Sequence, residues 1–158
     1  KEYIDFNGIS SKYFPHDGGV LYKFIGGFVD QNYNERSLIF IGEIIHTLEQ
    51  HRPESSMAII SPFRETVKKL QSEFQTDKRV LKDLTIETID RIQGMTVDYA
   101  ILYLPAGGSS FALDERRFNV ATSRSLSTTL IITDVRLERL AKFRGKVRSF
   151  IMASEQID

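Results

Sequence analysis

Residues 56–74 read SMAIISPFRETVKKLQSEF, and this stretch decides the class of fold. Met57 to Ile60 form a short continuous apolar run stopped by Ser61 and Pro62, the pattern of a strand covered on both faces within a parallel sheet. A helix is expected at once afterwards. Val67, Leu70 and Phe74 fall on one helical face, while Glu65, Lys68, Lys69 and Glu73 cover the outside. Working outward, the same alternation recurs. Upstream, Asn34 can cap a helix with Glu35 in its first turn, and Leu38, Ile41, Ile45 and Leu48 repeat at helical spacing until Pro53 forbids continuation. Earlier still, Val20 to Val29 is dense enough in apolar residues for a strand, with Gly26 and Gly27 suggesting a bulge. Downstream come β-rich runs at Thr85–Ile89 and Tyr99–Leu104, a loop around Pro105, Gly107 and Gly108, a helix from about Asp114 to Arg124, and a strand at Thr128–Thr133.

Strands alternating with helices at this spacing predict an α/β fold: a three-layer, open, mostly parallel sheet with helices on both faces. Residues 1–19 read as an irregular linker or insert, and 20–158 as one domain. Such sheets bind ligands beyond the carboxyl ends of their strands. Three candidate sites are expected there: Ser61–Arg64, Asp90–Asp98, and the helix carrying Arg117 and Arg124.

The 158 residues are 41% hydrophobic, with 21 Lys and Arg against 21 Asp and Glu, as in ordinary soluble globular domains. Cysteine is absent, which excludes a disulfide scaffold, a Cys-ligated zinc or iron–sulfur centre and a cysteine nucleophile. No apolar run approaches the roughly 20 residues of a membrane-crossing helix. His16, His46 and His51 lack the spacing of metal ligands. The charge is uneven, since residues 115–158 carry 9 bases against 5 acids. Arg116, Arg117, Arg124, Arg136, Arg139, Lys142, Arg144, Lys146 and Arg148 form either a phosphate-attracting face or an ordinary solvated one. The chain opens at Lys1 with no visible signal peptide. It reads as a fragment of a longer, intracellular protein whose partner domains lie elsewhere.

The phosphate-cradling pattern G-x-x-x-x-G-K-S/T of nucleoside triphosphatases does not occur. Asp114 and Glu115 precede a helix, where acids complement the helix dipole instead of holding a metal. The chain cannot build a whole ATP site alone. It does contain TIDRIQGMTVD at 88–98 and RRFNVATSRS at 116–125. Gln93 and Gly94 are expected in a turn after a strand, where glycine permits close backbone approach and glutamine offers donor and acceptor. A plain turn glycine is the simpler alternative. Arg117 and Arg124 are seven residues apart, so on one helix they project from the same face. A helix cap is the simpler role for Arg124.

These two segments resemble motifs V and VI of superfamily one helicases, in the second RecA-like domain of the branch that includes the nonsense-mediated-decay RNA helicases and their DNA-acting relatives. Ser61-Pro62-Phe63-Arg64 is similar to motif IV of the same family. The resemblance spans roughly residues 30–134 and implies a RecA-like, P-loop NTPase-type fold without its own P-loop. It implies that Arg124 is an arginine finger, that Arg117 supports it, and that Gln93 and Gly94 lie beside the triphosphate. It also implies that Ser61, Arg64 and Thr88 contact single-stranded DNA or RNA, while Asp90 reads as backbone scaffolding. ATP and Mg²⁺ are the implied cofactors, the metal being held by an N-terminal RecA-like domain of the same chain. The isolated fragment is then expected to bind ATP weakly and hydrolyse none. Thr96 departs from the family, standing where many members have a ribose-contacting Glu. That departure favours the alternative, a non-catalytic RecA-like docking module for protein or nucleic acid. A metal-dependent nuclease is disfavoured, because Glu87, Asp90 and Asp98 do not assemble at a usable spacing.

Overall fold

In the computed structural model the described residues are 19–27, 29–30, 33–78, 80–81, 83–105, 115–134 and 155–156. The strands are β1 (Gly19–Phe24), β2 (Val29–Asp30), β3 (Tyr33–Asn34), β4 (Ser56–Ser61), β5 (Asp83–Thr88), β6 (Val97–Leu104), β7 (Ser125–Thr133) and β8 (Glu155–Gln156). The helices are α1 (Glu35–His51), α2 (Arg64–Phe74) and α3 (Glu115–Thr122). Six strands form one sheet in the order β5-β4-β6-β7-β1-β8, and every neighbouring pair is parallel. The expected open parallel architecture is the observed one. β2 and β3 make a small antiparallel ribbon beside it.

The apolar run at 57–60 is explained by two cores, because successive strand residues point to opposite faces. On one face Met57, Ile59, Ile101 and Leu130 pack against Leu38, Ile41 and Ile45 of α1 and Val67, Leu70 and Phe74 of α2. On the other, Ala58, Ile60, Ala100, Leu102 and Ile131 meet Ala121 of α3 together with Ile89 and Ile92. Each fully buried aliphatic side chain contributes on the order of 2 kcal/mol. The chain thus leaves β4 toward one face, into α2, and reaches α3 on the opposite face after β6. The carboxyl ends of these neighbouring strands define a topological switch point.

Helix α1 begins as expected, with the Asn34 Oδ1 accepting from the Arg36 backbone N–H at 3.0 Å. Asn34 does more than cap. Its backbone N–H donates to Tyr103 Oη at 2.8 Å, and its Nδ2 donates to the Ile25 carbonyl at 3.2 Å, tying the helix start to β6 and to the end of β1. Burial pushes the Tyr103 phenol up to about 12, against a smaller opposing effect of the Asn34 hydrogen bond.

Several expected boundaries move. The first strand ends at Phe24, short of Val29, where its pairing with β7 runs out at Thr133. β5 covers 83–88 instead of 85–89, and β6 and β7 begin earlier than expected, at Val97 and Ser125. The last helix stops at Thr122, so Arg124 lies beyond it. Residues 1–18, residues 106–114, where a loop was expected, and the basic stretch at 136–148 lie outside the described residues, and Gly19 already belongs to β1.

Candidate functional site

At the carboxyl edge, Ser61 ends β4 directly opposite Thr88 at the end of β5. Ser61 is fully buried, and its Oγ has no hydrogen-bond partner among the described residues. Its hydroxyl therefore lies beneath the rim. Arg64, the first residue of α2, and Thr88 instead share a cleft of about 320 Å³, together with Lys68, Gln71, Glu87 and Arg91. Lys68 pairs with Glu65 at 2.9 Å and Arg91 with Glu87 at 3.8 Å, whereas Arg64 has no carboxylate partner among the described residues. Both cations of these pairs are about 70% exposed in solvent, where such pairs are worth little and are readily exchanged for another anion.

Lys68 was not among the sequence candidates, although it follows Arg64 by four residues and so lies on the same helix face. Arg91 lay within the candidate segment Asp90–Asp98 but was not singled out. It is folded back over the cleft by a turn in which the Arg91 and Ile92 N–H groups both donate to the Thr88 carbonyl, at 3.1 and 3.2 Å. Asp90 is exposed on that turn.

From Thr88 the segment 89–96 crosses the second face of the sheet. It passes β4 and reaches the amino end of β6 on the far side. Ile89 and Ile92 anchor it by burial, while Gln93, Gly94, Met95 and Thr96 are exposed. Gly94 has φ +86°, and a Cβ built there meets nothing within 4 Å. Backbone conformation, not space, requires glycine here.

Arg124 stands where this segment arrives. Ser123 still donates its N–H to the Asn119 carbonyl at 3.1 Å, but Arg124 then leads into β7, with its own carbonyl accepting from Val97 N–H at 3.0 Å. The half-buried guanidinium donates from Nη1 to the Met95 carbonyl at 3.4 Å and from Nη2 to Ser123 Oγ at 2.8 Å. Its Nε is buried with no partner among the described residues. Two expectations are corrected by this placement. Arg117 and Arg124 do not share a helix face, because the helix ends between them when Thr122 passes its carbonyl to Thr129 Oγ1 at 3.2 Å. Nor do the three candidate sites share the carboxyl edge. Arg124, with Gln93 and Gly94 leading into β6, belongs to the amino edge, because the 89–96 crossing carries the chain from one edge to the other. Arg117 lies within α3, and its side chain is outside the described residues.

Asp98 closes the amino edge on the β4 side. Its carboxylate accepts from both the Ser56 N–H and the Ser56 Oγ at 2.9 Å, and the Asp98 N–H donates to the same Oγ at 2.9 Å. This reciprocal clamp fixes β4 against β6, so Asp98 holds structure. Among the described residues no three His, Cys, Asp or Glu side chains come together as a metal site, and no helix is long and apolar enough to cross a membrane.

A six-stranded parallel sheet flanked on both faces, with basic groups at each edge, defines a RecA-like α/β domain. The chain matches the AAA domain family over residues 24–136 and belongs to it. This is the C-terminal domain typical of superfamily one helicases, which makes the chain a helicase-like domain of the P-loop NTPase class.

Proposed function

We propose that the chain is the second motor domain of an ATP-dependent DNA or RNA helicase. In this reading it faces an N-terminal RecA-like domain of the same protein, which supplies the phosphate loop and the carboxylates for Mg²⁺. Arg124 acts as the arginine finger, with Gln93, Gly94 and Arg117 lining this domain's side of the nucleotide. Thr88 and Arg64, joined by Lys68 and Arg91, hold backbone phosphates of a single strand, while Ser61 shapes the rim from below.

One observation carries the reading: the segment 88–97 starts in the basic cleft at Thr88 and ends at the residues that hold Arg124. A single short crossing therefore joins the groups assigned to nucleic acid to those assigned to nucleotide. The residues present suit one side of a triphosphate. Arg124 donates one long bond to the Met95 carbonyl and one to Ser123 Oγ, leaving an N–H on each terminal nitrogen for phosphate oxygens, and Gly94 leaves open space at its Cα. Bound ATP supplies the phosphoryl group to be transferred. This domain contributes fixed positive charge opposite it, the form of catalysis phosphoryl transfer depends on most.

Arg124→Ala in the full-length protein tests the reading. Hydrolysis is expected to fall by on the order of 10³ or more, with binding of single-stranded oligonucleotide retained. Unchanged hydrolysis would sink the motor reading in favour of the docking module, which the exposed Thr96 in place of a glutamate supports.

A further inference from the structure

We infer that Ser123 is a positioning residue for Arg124: its hydroxyl, a neutral acceptor, sets the direction of the guanidinium without cancelling its charge. That role rests on the motor reading, which supplies the reaction. Among the described residues two acceptors hold Arg124, the Met95 carbonyl at 3.4 Å from Nη1 and Ser123 Oγ at 2.8 Å from Nη2. The first bond is long and the second short, so the hydroxyl contributes most of the orientation. A carboxylate would hold the fork more firmly but would neutralise it, and a charge aimed at a developing phosphoryl anion has to stay uncompensated. No carboxylate pairs with Arg124 among the described residues.

Ser123 is itself tied down through both of its donors. Its N–H donates to the Asn119 carbonyl at 3.1 Å, and its Oγ donates to the Val120 carbonyl at 3.4 Å, both at the end of α3. With its one proton turned toward the helix, the oxygen presents lone pairs to the guanidinium. Ser125, the serine on the other side of Arg124, is engaged differently. Its Oγ shares a hydrogen bond with Thr129 Oγ1 at 2.8 Å, and Thr129 Oγ1 donates to the Thr122 carbonyl at 3.2 Å, so Ser125 braces the turn between helix and strand. Two serines flank one arginine: one braces the backbone and the other aims the side chain.

The test measures steady-state ATP hydrolysis by the full-length protein with saturating single-stranded oligonucleotide. Ser123→Ala is expected to lower kcat about tenfold, the effect of one hydrogen bond to a charged group, with KM for ATP and oligonucleotide affinity unchanged. Ser123→Thr keeps the hydroxyl and should return kcat to within about twofold of the parent. On an Arg124→Lys background, which lacks the planar fork, Ser123→Ala should add almost nothing, because its effect passes through that group. A parent-like kcat in Ser123→Ala overturns the inference, as does a further loss of about tenfold on the Arg124→Lys background. So does an equal loss in Ser125→Ala, which loosens the same turn without touching the guanidinium. Arg124→Ala separates this result from the motor reading. If it abolishes hydrolysis while Ser123→Ala leaves kcat unchanged, only the positioning role falls; if neither variant lowers hydrolysis, both fall.

Discussion

The two edges of the sheet hold their cations in opposite ways. At the carboxyl edge Arg64, Lys68 and Arg91 stand out in solvent, the last two in exposed ion pairs and Arg64 with no carboxylate partner among the described residues. At the amino edge Arg124 is half-buried and pinned to the Met95 carbonyl and to Ser123. Exposed, mobile charge suits a polyanion that slides, because attraction then needs no fixed geometry. A pinned guanidinium suits a single point where charge develops, because orientation is settled before the reaction. The same chemical group serves either task, according to how its neighbours hold it.

The sharpest way to break this contrast is Arg124→Lys, which keeps the charge and removes the planar fork. Hydrolysis by the full-length protein is expected to fall by on the order of 10³, as measured by phosphate release. A variant close to the parent would mean that orientation at the amino edge is unimportant. Next in size is the pair Arg64→Ala with Arg91→Ala, for which the salt slope of oligonucleotide binding should drop by about 1.4. An equal drop for Arg124→Ala would erase the distinction between the edges.

Two smaller effects probe the scaffold that keeps the edges apart. Tyr103→Phe strips the Asn34 N–H of its acceptor beneath the carboxyl edge and should cost about 2 kcal/mol in urea unfolding at neutral pH. In the parent, the unfolded phenol ionises near pH 10 while the folded one holds its proton to about 12. Tyr103's contribution is therefore complete below pH 10 and declines as pH rises toward 12, so the gap between parent and variant should narrow when unfolding is repeated at pH 11. Gly94→Ala should cost about 1 kcal/mol by thermal melting, and Gly94→Asn less. The penalty is purely conformational, because the added Cβ meets open space.

Much of this was legible at the level of single elements. The caps, stops and apolar spacing of α1 and the uninterrupted run of β4 lie within a few residues of chain, and local physics is enough to read them. The strand boundaries at Val97 and Ser125 were not legible. Thr96, Asp98, Ser125 and Ser127 look polar enough for loop, and only pairing with a neighbour draws Val97 and Ser125 into the ladder. The reciprocal Ser56–Asp98 clamp joins residues 42 apart and left no local mark.

The order of elements, the parallel class of the sheet, the missing phosphate loop and the identity of the motif residues all follow from the amino-acid string, because each depends on residue type and short spacing. Which edge each motif residue occupies was decided only in three dimensions. Spacing along the chain suggested a shared helix for Arg117 and Arg124 and a shared rim for every candidate. A helix that stops at Thr122 and a crossing that buries Ile89 and Ile92 placed Arg124 at the opposite end from Thr88. The physical reason is that burial and strand pairing act between distant residues, and no local pattern records which distant partner a segment will meet.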